Sequence, residues 1–147
     1  AQLVAMLARL DKADVTAYDG ETDFSDVDSS AWYAQYIDWA AENGVVNGYG
    51  NGTFKPNRRI SRQEMFQMLY NYAKLKGADL TVSYPEFMDK FIDKDEIAGW
   101  AYEAVEWCVA NGISHGVSNT RLAPTRLAPR SHAVQAFENY VHKILDK

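Results

Sequence analysis

The sequence predicts an all-α chain, mainly helical, made of tandem helix–loop–helix repeats. Three observations lead there. Residues 32–72 and 100–140 carry one pattern twice, without a gap, at a constant offset of 68. Within each copy, apolar residues fall at i, i+3, i+4, i+7 spacing, the one-faced stripe of an amphipathic helix. Between the stripes lie glycine-rich stretches, with Asn-Gly pairs that signal tight turns.

The repeated positions mix packing and polar residues. Trp32, Trp39, Asn43, Gly44, Gly48, Pro56, Arg58, Arg62, Gln67 and Tyr72 recur as Trp100, Trp107, Asn111, Gly112, Gly116, Pro124, Arg126, Arg130, Gln135 and Tyr140. A period this long marks a supersecondary unit duplicated because one copy does not close its own core. A third copy is present but cut, since residues 1–10 align on 63–72 and 131–140. The expected organisation is therefore 1–22 as the last helix of a truncated first repeat plus linker and 23–75 as a second repeat. A connector follows at 76–90, then a degenerate third repeat at 91–147. Because the chain opens one residue past the position of Arg62 and Arg130, Ala1 is expected to be a cleavage product of a trypsin-like protease.

Within the second repeat, Phe24–Asp28 forms an extended lead-in and Ser29-Ser30 offers an N-cap for a helix from about Ala31 to Asn43. Tyr33, Tyr36, Ile37, Ala40 and Ala41 supply its apolar stripe, and Gly44 ends it as a left-handed C-cap. Residues 45–56 are expected to make a compact loop, closed by Pro56. Ser61-Arg62-Gln63-Glu64 then has the form of a capping box. It opens a second helix with Met65, Phe66, Met68, Leu69 and Tyr72 on one face. Equivalent stripes run through Leu3–Leu10 and Ala133–Ile144, while the 76–90 connector is expected to drape over the surface.

Composition sets outer bounds. The chain has 147 residues, room for one cored domain or for small packed repeats. No apolar run approaches the roughly twenty residues of a membrane-spanning helix. A net charge of −5 argues against a general nucleic-acid binder. Acidic Glu21–Asp28 precede the first helix of the second repeat and basic Lys55–Arg62 follow it; this is either head-to-tail complementarity between copies or plain solvated charge. Cys108 is the single cysteine, so no internal disulfide forms, and its place between Val105 and Val109 reads as a small buried apolar residue.

This pattern resembles the S-layer homology repeat of bacterial cell-surface proteins. The residues that carry the resemblance are Phe24-x-Asp26-Val27, Ala31-Trp32, Ala40-Ala41-Glu42-x-Gly44-Val45-Val46-x-Gly48, Gly52-Thr53-Phe54-x-Pro56 and Ile60-Ser61-Arg62-x-Glu64. The resemblance implies three repeats around a pseudo-threefold axis, with one helix from each in a central bundle. Those helices would be the ones containing Leu3–Leu10, Met65–Tyr72 and Ala133–Tyr140. It also implies grooves between repeats that bind secondary cell-wall polysaccharide, often through a sugar bearing a pyruvate ketal. The localisation so implied is extracellular, on the bacterial cell wall, with no enzymatic activity.

The residue chemistry fits that implication. Arg62 lies in the first turn of a helix, where free N–H groups favour an anion, and its guanidinium suits a ketal carboxylate. Asp26 is able to accept from sugar hydroxyls, and a tryptophan face to cover a sugar ring. The expected ligand-binding residues are Arg62, Asp26, Trp32, Asn47, Gly48 and Glu64, with Arg130 and Trp100 in the last repeat. Each has a structural alternative: Arg62 pairing an acid of a neighbouring repeat, Trp32 and Trp100 packing between repeats, Gly48 serving backbone geometry. The last repeat also departs from the family, with Pro129-Arg130-Ser131-His132 replacing the capping box and Thr120 standing where the second repeat has Gly52.

A protein–protein assembly module is the competing function. A concave site lined by Arg62 and loop backbone would favour glycan, and a flat apolar patch would favour protein. Catalysis and metal binding are disfavoured. No acid pairs with a His or Lys as a mechanism requires, the three histidines lack ligand spacing, and Asp26-x-Asp28 lacks the glycine and glutamate of an EF-hand. No cofactor is expected.

The cut first repeat should leave apolar surface uncovered, and burying one large side chain is worth about 1.5–3 kcal/mol. The missing wall is therefore expected to be supplied by a cleaved N-terminal fragment or by another copy of the chain. Native mass spectrometry checks this. A lone monomer of sequence mass that melts cooperatively would defeat it.

Overall fold

The computed structural model describes residues 2–47, 52–82 and 85–145. The protein is all-α, with no strand among the described residues, and its chain divides into two compact units, Ala1–Arg58 and Arg59–Lys147. The division falls inside the second sequence repeat. Each unit is built the same way: the second helix of one repeat packs on the first helix of the next.

In the first unit, α1 (Gln2–Leu10) packs on α2 (Ala34–Glu42). Leu3, Val4 and Leu7 meet a core that includes Ile37, Trp39 and Ala40. The α2 helix starts later than its apolar stripe suggested. Asp28 accepts from both the N–H (3.0 Å) and the hydroxyl (2.8 Å) of Ser30, which ties this serine into a turn instead of leaving it to cap the helix.

The second unit holds α3 (Arg62–Leu75), α4 (Tyr102–Ala110) and α5 (Arg130–Tyr140), the last running on into a π turn over Val141–Leu145. The capping box at the start of α3 is present as read from sequence: Ser61 and Glu64 satisfy each other's backbone N–H. Pro129 gives α5 no such cap. Cys108 on α4 donates to the Phe66 carbonyl of α3 at 3.8 Å, and Tyr72 meets Tyr140 edge-on at 5.9 Å, which joins α3 to α5. The expected contact between these two helices is thus made through a repeated tyrosine pair. The connector does more than drape. Met88 is buried, and the Trp107 indole N–H donates to the Asp79 carbonyl at 2.9 Å.

One device recurs in both units. Asp26 accepts from the N–H groups of Phe54 (2.8 Å) and Lys55 (2.7 Å), and Asp93 accepts from those of Leu122 (2.9 Å) and Ala123 (2.8 Å). Lys55 and Ala123 have φ of 57° and 51°, a left-handed conformation that side chains rarely adopt. The carboxylate holds the loop through that strained residue. The backbone hydrogen bond from Phe54, the largest cause, lowers the Asp26 pKa.

Two outcomes are expected. Gly116 has φ +86°, and a Cβ there would lie 2.5 Å from the Arg121 carbonyl oxygen, whereas one at Gly99 would meet nothing within 4 Å. Gly116→Ala should therefore cost about 1–3 kcal/mol, read as a lowered melting temperature, with Gly99→Ala near neutral. Burial pushes the Cys108 thiol well above its ordinary pKa, so iodoacetamide should label it only after denaturation. Labelling of the folded protein would contradict this core.

Candidate functional site

Backbone hydrogen bonds dock the start of α3 onto the segment before α5. Ala128 N–H donates to Ile60 O at 2.7 Å, Arg62 N–H to Arg126 O at 2.9 Å and Gln63 N–H to Pro124 O at 2.9 Å. The docking carries the Arg62 side chain inward, where it is 4% exposed. Its Nε donates to Leu122 O at 2.8 Å, one terminal nitrogen to Ser114 Oγ at 3.3 Å, and the other to His132 Nδ1 at 3.2 Å. The guanidinium also lies over the Phe66 ring, 5.3 Å from its centre.

Arg62 makes no ion pair among the described residues. Burial lowers its pKa and Arg126 lowers it further, while Asp93 opposes them. The group stays cationic, since a guanidinium does not deprotonate in proteins. The structural alternative of an acid-paired arginine is therefore not what the side chain does.

Arg62 opens onto a groove of about 400 Å³. Its walls are α3, the loop Ile113–Val117 after α4, Arg126, and the face of α5 that carries His132, Gln135 and Asn139. Among the described residues, no Asp or Glu lines it. Asn139 donates to Ile113 O at 3.0 Å and Ser114 Oγ accepts from Gly116 N–H at 3.1 Å, so loop and helix are held in register. The arrangement provides fixed donors and positive charge in a concave space, which suits an anionic, hydroxyl-rich ligand.

The residues expected at a site are placed as follows. Arg62 lines the groove. Glu64 spends its carboxylate on the capping box, accepting from Ser61 N–H at 3.2 Å and Ser61 Oγ at 2.9 Å. Asp26 is committed to Phe54 and Lys55, and Asn47 is exposed on its loop. Gly48 lies outside the described residues; its repeat counterpart Gly116 lines the groove. Arg130 is exposed at the first turn of α5.

Trp32 and Trp100 are 60% and 61% exposed, which goes against the packing alternative. Each falls in the turn ahead of its helix, so it escapes the buried stripe that takes Trp39 and Trp107. Trp32 sits edge-on to Tyr33 at 5.6 Å and Tyr36 at 6.3 Å. Sequence reasoning missed Ser114, His115, Arg126 and His132 as groove residues. The recurrence of Arg58 as Arg126 was a usable signal. His115 had the same signal, since it recurs from Asn47, an expected site residue, whereas Ser114 had none, because its repeat counterpart is Val46.

The S-layer homology domain matches this chain over residues 23–66 and again over 90–133. Among curated proteins, exoglucanase XynX of Acetivibrio thermocellus is 30% identical over 97% of the chain, which spans 13% of that protein. The surface-layer 125 kDa protein of Lysinibacillus sphaericus is 28% identical over 86% of the chain, covering 10% of its own length. The cellulosome-anchoring protein of Acetivibrio thermocellus is 28% identical over 76% of the chain and is covered for 24% of its length. The chain therefore spans a small part of these relatives. With two matched repeats that take in more than half of its residues, it belongs to the S-layer homology domain family.

Proposed function

We propose that this chain is a non-catalytic anchoring module that attaches the protein carrying it to the bacterial cell wall. Its ligand is secondary cell-wall polysaccharide, with a pyruvylated sugar seated in the groove of the second unit. The observation that carries this reading is the buried Arg62 guanidinium, which among the described residues has no ion pair and faces a groove lined by no acid. Three of its N–H groups are spent on a carbonyl, a hydroxyl and an imidazole, and the rest remain for a ligand carboxylate. A sugar bearing a ketal carboxylate presents one negative charge on a ring of hydroxyls, the match for Arg62 and Arg126 beside Gln135 and Ser114. The site is a concavity rather than a flat apolar patch, which favours glycan over protein assembly. Relatives named for surface layers and for cellulosome anchoring support an extracellular setting.

No helix among the described residues is long and apolar enough to cross a membrane. The test is co-sedimentation with purified cell walls before and after removal of the secondary polymer. Arg62→Ala and Arg126→Ala should each weaken binding about ten- to a hundred-fold, the value of a charge-assisted contact of about 1.5–3 kcal/mol. Arg59→Ala should leave it nearly unchanged. Equal, small losses from all three would reduce the site to nonspecific charge, and circular dichroism of Arg62→Ala separates lost binding from lost folding.

A further inference from the structure

His132 stands where the second repeat has Glu64, and His115 where it has Asn47. Both exchanges fall on the groove wall. Glu64 serves the cap of its helix, but α5 begins at Pro129 with no capping hydroxyl, so the side chain at 132 is released from that duty. It turns to Arg62 instead, with Nδ1 3.2 Å from a terminal guanidinium nitrogen. A guanidinium only donates, so Nδ1 must present a lone pair and His132 is held neutral.

The charged and titratable groups around it come from three elements. Arg62 faces it from α3, Arg126 from the segment before α5, and His115 lines the same groove from the loop after α4. Asp93, which favours the Arg62 cation, has both oxygens tied to the N–H groups of Leu122 and Ala123. Among the described residues, no carboxylate on the groove wall balances the two arginines. That balance is left for a ligand.

We propose that His132 is a specificity-determining residue of the groove, one that takes up a proton when an anionic ligand binds, so that the ligand is held more tightly as pH falls. The inference rests on the anion-binding reading of the groove given above. In the free protein, burial first and then the charges of Arg62 and Arg126 depress the imidazole below its ordinary value of 6.5. A carboxylate seated between the arginines offsets their field and replaces the Arg62 nitrogen as the partner of Nδ1, which then carries a proton and donates to it, so the bound-state pKa rises. The added affinity is fully present below the free-state pKa and is lost as pH rises through the bound-state pKa. A glutamate at this place, as at position 64, would act in the opposite sense by repelling the anion.

The experiment uses the full chain and a synthetic monosaccharide carrying a pyruvate ketal, whose carboxylate keeps its charge across the range. Calorimetry should show binding that tightens as pH falls from 8, by about tenfold in all for a one-unit pKa displacement. His132→Asn, which keeps an acceptor near the Nδ1 position but does not titrate, should flatten the profile. Binding that is flat with pH in the unaltered protein, or a slope that survives in His132→Asn and vanishes in His115→Asn, overturns the assignment. A second readout does not need the sugar: NMR titration of the His132 imidazole with and without sulfate, which also keeps its charge. If the ketal sugar fails to bind at any pH, the polysaccharide reading fails. The role of His132 then stands if sulfate raises its pKa and falls if sulfate leaves it unmoved.

Discussion

The second unit is organised around one costly act, the burial of the Arg62 charge. Moving an ion out of water costs several kcal/mol unless hydrogen bonds and opposite charge replace the lost hydration. Among the described residues no carboxylate pairs with it, and the chain supplies neutral acceptors from distant places: the carbonyl of Leu122, the hydroxyl of Ser114 and the imidazole of His132. These belong to three different segments, and the geometry of all three is set by having to converge on one guanidinium. Asp93 stabilises the arrangement at one remove. By pinning the N–H groups of Leu122 and Ala123, it holds the loop that bears the accepting carbonyl.

The groove follows from that convergence. Segments that meet at their polar atoms leave space between their side chains, and the space is walled by whatever those segments carry. The loop after α4 contributes Ser114 and Gly116, and the latter's φ of +86° lets the backbone turn where a side chain would strike the Arg121 carbonyl. A fold that needs acceptors around a cation thus produces, in the same place, a concave site with residual positive charge. Stability and binding draw on one set of contacts here, which makes Arg62 both a positioning group and a candidate ligand contact.

Much of this was legible in the sequence, and what was missed has physical causes. Periodicity located every α-helix, because apolar spacing follows directly from which face is buried. The capping box at Ser61 and Glu64 was legible because it is local, spanning a single turn. The start of α2 was misplaced because two devices competed for Ser30, and the Asx-type turn with Asp28 prevailed. Trp32 and Trp100 stand ahead of the stripe, where apolar spacing does not say whether a ring is buried, so a sugar-facing and a packing role both stayed open until their exposure was seen. His132 and Ser114 joined the groove through contacts 70 and 52 residues away along the chain, which no local pattern encodes.

The repeated stretch of sequence and the folded unit are not the same object. The boundary at Arg58–Arg59 lies inside the second repeat, so that repeat's own two helices, α2 and α3, fall in different units, and each packs on a helix of a neighbouring repeat. Gene duplication of such a segment copies half of one body and half of the next. An added copy therefore arrives already shaped to receive its successor, because the last helix of one copy is what the first helix of the next packs on. A family built this way is free to vary the number of its copies while keeping a single kind of contact.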